Sequence, residues 1–213
     1  MKIKLELEKQ EKIILIIYLI IFILIGINIR HSPNETLFDK AVYEILNPIM
    51  ENKILHNFSK AMAFIGSVKF ILPLMLILIP IKIRKKENLN AFKLLSASLL
   101  AFILNEILKH IHQRQRPSGM LVDQWGLSFP SGHSMISMCM YLTIAELFFE
   151  GKKRTIAKII ALIFSFLMAI SRVILYVHYP TDVLAGLILG YILYVAIKRL
   201  QIYKKNQNDL EEN

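Results

Sequence analysis

The sequence predicts an all-helical, polytopic membrane protein: six transmembrane helices, with short interfacial helices between spans one and two, in a single membrane-embedded domain over residues 1–213. Three observations lead there. Of the 213 residues, 55% are hydrophobic, more than one soluble domain needs. Apolar runs close to the roughly 20 residues that cross a bilayer recur along the chain. Lys and Arg outnumber Asp and Glu by 26 to 16, and they gather at the ends of those runs. A nucleic-acid reader would instead concentrate its basic side chains on one soluble face, so the expected partner is the lipid bilayer and not nucleic acid. The single cysteine, Cys139, excludes an intramolecular disulfide and a thiolate metal cluster.

The first span, about residues 13–29, follows Lys2, Lys4, Lys9 and Lys12 interleaved with Glu6, Glu8 and Glu11. Its apolar core is longer than a signal-peptide core and lacks a small-residue cleavage site, so it is expected as a retained anchor. Residues 30–60 carry Pro33, Pro48 and apolar positions Leu37, Phe38, Ala41, Val42, Ile45 and Leu46 at helical spacing, the pattern of helices lying at the interface. Spans two and three, about 61–83 and 89–108, enclose the basic turn Lys82, Arg84, Lys85 and Lys86. A fourth span covers about 132–149 and a fifth about 156–177, flanking Lys152, Lys153, Arg154 and Lys158. The sixth, about 181–200, closes with Lys198, Arg199, Lys204 and Lys205 before a polar tail, 203–213. Cytoplasmic loops retain positive charge, so an amino terminus inside puts all four basic clusters inside. Both termini are then cytoplasmic, and the loop 109–131 and the turn 177–182 share the external face.

Three polar clusters stand at those external span ends, where charge is costly unless paired or used. Lys109 and Arg116-Pro117 bracket Lys-His-Ile-His-Gln-Arg-Gln-Arg-Pro, with room for a polyanion and a guanidinium suited to bidentate phosphate contact. Alone this could be an ordinary juxtamembrane basic loop. Pro130-Ser131-Gly132-His133 opens span four, so its amides sit where a helix amino terminus favours an anion. Simple capping by Ser131 explains that block equally well. Ser171-Arg172 is followed by His178 and Asp182, with Pro180 and Asp182 fitting a first helical turn and Asp182 near enough to hold the His178 ring.

Together the blocks resemble the three-part signature of the type 2 phosphatidic acid phosphatase superfamily, the lipid phosphate phosphatases: KxxxxxxRP, PSGH and SRxxxxxHxxxD, complete and in order from Lys109 to Asp182. The resemblance implies hydrolysis of a phosphomonoester or pyrophosphate of a membrane lipid through a phosphohistidine. It implies His178 as nucleophile, Asp182 as its orienting partner and His133 as general acid and base. Lys109, Arg116, Arg172, the Ser131 hydroxyl and the Gly132 amide would hold the phosphate oxygens. Asp123 is the one acidic residue between spans three and four, so no metal or other cofactor is expected. Bacterial members of this size resemble enzymes for undecaprenyl pyrophosphate, phosphatidylglycerophosphate or phosphatidic acid, and an outward site inclines the choice to the first. The alternatives are a phosphate-binding lipid transporter and a non-lipid phosphatase of the same superfamily. Glu106 is expected to pair with Lys109 one turn later, and His110 and His112 are expected to be solvated.

Overall fold

The computed structural model describes residues 2–50 and 52–203, and is all-helical apart from one two-stranded ribbon. The expected tail beyond Tyr203 lies outside the described residues. Strand β1 (Lys2–Leu5) leads into α1 (Lys9–His31), α2 (Leu37–Met50), α3 (Lys53–Ile65), α4 (Val68–Arg84), α5 (Asn88–His112), α6 (Gly132–Phe148), α7 (Gly151–Ile174) and α8 (Pro180–Lys198), then β2 (Leu200–Tyr203). The strands pair antiparallel, Leu5 opposite Leu200, so the two ends of the described chain meet on one side of the bundle. Arg199 reinforces the junction by donating to Glu8 and, at 2.9 Å, to Glu11 of α1.

Helices α1, α5, α7 and α8 are each long and apolar enough to cross a membrane, and α3 with α4 makes a fifth if the bent pair is one span. Their outward faces are apolar, for example Ile16 and Leu24 of α1, Leu99 and Phe102 of α5, and Ile163 and Phe166 of α7. Such exposure has no place in water, and in lipid it needs no partner. The expectation of a continuous helix over 61–83 is corrected. The chain bends by 42° between α3 and α4 at Gly66 and Ser67, where the Ser67 hydroxyl donates to the Phe64 carbonyl at 2.7 Å. The two segments have different neighbours: α3 packs on α7 and α4 on α5, so one straight rod would lose one of the contacts. Gly66 permits this, because a Cβ there would lie 2.6 Å from the Met168 sulfur.

Helix α6 is the hub, packed on α5, α7 and α8. Met135, Met138, Cys139, Met140 and Leu142 bury it on nearly every side, which is why its sequence carries no polar stripe. Its closest approach is to α8, where a Cβ on Gly186 or Gly190 would stand 2.5 Å from the carbonyl oxygens of Ser131 and Met135 respectively. Only glycine lets two helical backbones come so near. The amino ends of α6 and α8 and the carboxyl ends of α5 and α7 therefore converge at the end opposite the ribbon, around the 113–131 loop.

Candidate active site

Helix α8 begins with Pro180 at its first turn, and the Asp182 carboxylate accepts from the Tyr179 amide at 2.9 Å. The same oxygen, Oδ2, faces His178, whose Nδ1 lies 3.5 Å from it and 3.4 Å from the Ser128 hydroxyl. Ser128 donates its own proton to Asp182, so its oxygen is left to accept. At the other ring nitrogen, Arg116 Nη1 approaches Nε2 to 3.1 Å. A guanidinium has only donors, so the neighbours select the tautomer with the proton on Nδ1 and a free electron pair on Nε2. The ring is 2% exposed, and burial first, then the charges of Arg116, Arg172 and Lys109, hold its pKa well below the ordinary 6.5. It is a neutral base with its lone pair aimed at a cation.

Arg116 is fixed by the loop around it, donating to the carbonyls of Val177 at 2.7 Å, Gly126 at 2.9 Å and Trp125 at 3.1 Å. Burial lowers its pKa to about 10, which leaves it charged at neutral pH. Arg172, buried in the last turn of α7, donates through Nη2 to Gln124 at 2.8 Å, while its Nε is buried without a partner. An unpaired guanidinium N–H away from water is costly, and an anion oxygen at that spot would relieve it. Lys109 pairs with Glu106 at 3.0 Å, as its spacing suggested. His133 opens α6 within electrostatic reach of Arg172, His178, Arg116 and Lys109, so the second imidazole and three cations all act on it.

The structure gives the PSGH block a capping arrangement. The Ser131 hydroxyl is fully buried and accepts from the Ser134 amide at 3.4 Å and the Ser134 hydroxyl at 3.0 Å. Gly132 lies against Asn105 of α5, whose oxygen would sit 2.8 Å from an added Cβ, and Asn105 Nδ2 donates to the Pro130 carbonyl at 3.1 Å. The Ser131 amide donates to the Asp182 carbonyl at 3.0 Å, tying the second block directly to the third. The expectation for His112 is corrected: it is half-buried, packed edge-on to Phe129 with centroids 4.7 Å apart, because α5 continues past the expected boundary to carry it under the loop. His110 is exposed.

Four residues of this site escaped the sequence reading: Asn105, Ser128, Asp39 and Arg114. The last two form a buried ion pair at 2.8 Å, and Arg114 also contacts Asp182 at 2.7 Å. Among the described residues, no group of three or more His, Cys, Asp or Glu side chains is placed to hold a metal. Two openings adjoin the cluster. An apolar groove of about 560 Å³ runs along α1 and α8 between Ile21, Leu24, Leu37, Phe38 and Leu184, up to Thr181. A polar recess of about 680 Å³ lies beside Arg116, edged by Asn34, Glu35, Lys40 and Tyr179, and the two meet at Ser32.

Comparison with known proteins places this geometry in context. Residues 90–206 match the model of the PAP2 superfamily. Phosphatidylglycerophosphatase B of Bacillus subtilis (strain 168) is 32% identical over 187 residues, covering 85% of this chain and 89% of that protein. Among solved structures, a transmembrane PAP2-type phosphatidylglycerolphosphate phosphatase from Bacillus subtilis superposes with a TM-score of 0.75 at 29% identity, over 86% of this chain and 94% of that one. Aquifex aeolicus LpxE superposes with a TM-score of 0.64 at 25% identity, over 77% and 96%. A family match over more than half the sequence, reinforced by a relative aligned along most of both chains, makes this membrane protein a member of the PAP2 superfamily.

Proposed function

We propose that the chain is an integral membrane lipid phosphatase that transfers a phosphoryl group to His178 and then to water without a metal. The observation that carries the reading is the Nε2 lone pair of a neutral His178, backed by Asp182 and faced by Arg116, beside an Arg172 whose Nε has no partner. In the first step Nε2 bonds to phosphorus as the bond from phosphorus to the lipid oxygen breaks, and protonated His133 gives that oxygen a proton. Asp182 stabilises the positive charge growing on the ring. In the second step His133 takes a proton from water, whose oxygen displaces Nε2 and releases phosphate. Lys109, Arg116 and Arg172 hold the equatorial oxygens, while Ser131 and Gly132 fix the amino end of α6 beside them.

A lipid substrate is supported by the meeting of apolar groove and polar recess at Ser32, which offers one route for acyl chains and another for a headgroup. The relatives named for phosphatidylglycerophosphate favour that lipid over undecaprenyl pyrophosphate and phosphatidic acid. Six crossings are favoured over five by the ribbon: ends that meet on one side require an even number, and the 17-residue α6 supplies the sixth. The surplus of basic clusters at that side favours a cytoplasmic ribbon end and an outward-facing site. Phosphate release by detergent-solubilised protein, with and without chelator, should be fastest on phosphatidylglycerophosphate. His178→Ala should lower it at least about 10³-fold, and near-normal turnover by that variant would overturn the mechanism.

A further inference from the structure

Arg114 is a buried guanidinium with every donor in use. Nη1 donates to Asp182 and to the Thr181 hydroxyl, each at 2.7 Å. Nη2 donates to Asp39 at 2.8 Å and to the Asn34 carbonyl, and Nε to the Pro33 carbonyl at 3.2 Å. Its Cζ lies 3.8 Å from the centroid of the Tyr179 ring, over the ring face. Asp39 is as fully engaged, accepting from the Thr181 amide at 2.8 Å and from the Thr36 amide and hydroxyl, both at 3.0 Å. A cation so saturated has nothing left to offer a substrate, unlike Arg172. What it touches instead is the carboxylate behind the His178 ring.

We infer that Arg114 and Asp39 are positioning residues, which orient Asp182 toward His178 and hold the buried carboxylate–guanidinium–carboxylate array at one net negative charge, the amount an imidazolium can balance. The inference rests on His178 acting as the nucleophile. It gives the 32–36 linker and α2 a part in catalysis: the Pro33 and Asn34 carbonyls close the guanidinium in, and the Tyr43 hydroxyl donates to the His178 carbonyl at 3.2 Å. Removing one member leaves an uncompensated charge in a dry site, an expensive outcome. The sign of that charge depends on which member goes.

This dependence gives a test that loss of packing cannot imitate. Arg114→Gln leaves two negative charges behind His178, so the His178–Asp182 pair takes its proton more readily, and the acid limb of the kcat profile moves up by about half to one pH unit. Asp39→Asn leaves none, and the limb moves down. The other charged or titratable groups around the pair are Arg116, Arg172, Lys109, His133, Tyr43 and Tyr179; Arg114 contacts the Tyr179 ring, but burial raises that phenol's pKa, so it stays neutral across the acid limb. Arg114→Lys keeps the charge without the fork, so its limb stays with wild type while kcat falls. Expected losses in kcat on phosphatidylglycerophosphate are about 10²-fold for the Arg114 variants, the scale of a misplaced reacting group, and about tenfold for Asp39→Asn. KM should stay within about twofold, since none of these side chains contacts substrate. Limbs that coincide with wild type, or move in the same direction for Arg114→Gln and Asp39→Asn, would overturn the inference. If either variant elutes only as aggregate, the other measured against Arg114→Lys still gives the direction. His178→Ala run alongside separates the two readings: its residual turnover tests the nucleophile, and unshifted limbs with an inactive His178→Ala count against the array alone.

Discussion

At the ribbon end of the bundle, Glu146 is shared by Lys158, by Arg154 at 3.3 Å and by the Tyr194 hydroxyl at 2.8 Å. Lys82, which is buried, donates to Glu87 at 2.6 Å and to the Leu147 carbonyl at 2.7 Å. At the opposite end Arg114 is equally saturated, yet Arg172 keeps a buried Nε without a partner, and Arg116 faces the lone pair of a histidine rather than a carboxylate. Both ends bury cations. Only one arranges them so that the missing acceptor would be an anion, and that difference separates a site from a structural ion-pair network.

The contrast can be broken by experiment. The largest effect should come from His133→Ala, a loss of about 10² to 10⁴-fold in phosphate release, shrinking sharply on a nitrophenyl phosphate whose leaving group needs no proton. An equal loss on both substrates would remove His133 from the acid role. Next comes Arg172→Lys, about 10²-fold in kcat/KM, because a point charge cannot replace the guanidinium N–H now unpaired. Stability should follow pH through His178: its folded pKa lies below 6.5, so the unfolded chain binds the proton first. The melting temperature should therefore fall as pH drops below 6.5, and His178→Gln should flatten that part of the curve. The smallest effect belongs to the ribbon end, where Glu146→Gln should cost about 1 kcal/mol of stability and leave turnover unchanged. A catalytic defect there would erase the distinction between the two ends.

Much of this was legible in the residues. Expected spans 132–149 and 181–200 coincide closely with α6 and α8, because Pro, Ser and Asp mark their starts and apolar runs fill their lengths. The bend at Gly66 was not legible, since it reflects which neighbour each half packs on and leaves the hydropathy unbroken. The motif blocks pointed to His178, Asp182, His133, Lys109, Arg116 and Arg172, whose side chains or charges the structure gathers at one end. Arg114 and Asp39 stayed hidden for another reason. They stand 75 residues apart and meet only through the tertiary fold, so no local period or spacing records the pair. Ser131 shows the converse: a residue read through phosphate chemistry whose hydroxyl caps its own helix.

The glycine contacts between α6 and α8 have a bearing on tolerance to change. One imidazole is carried at the start of α6 and the other just before α8, and main-chain atoms of these helices touch beside Gly186 with no side chain interposed. The gap between the rings is thus gauged by the thickness of two backbones, a dimension that repacking elsewhere cannot retune. A methyl group at 186 would act as a wedge at the fulcrum, whereas the groove walls can drift in composition and reshape what enters without disturbing the spacing of the reactive pair.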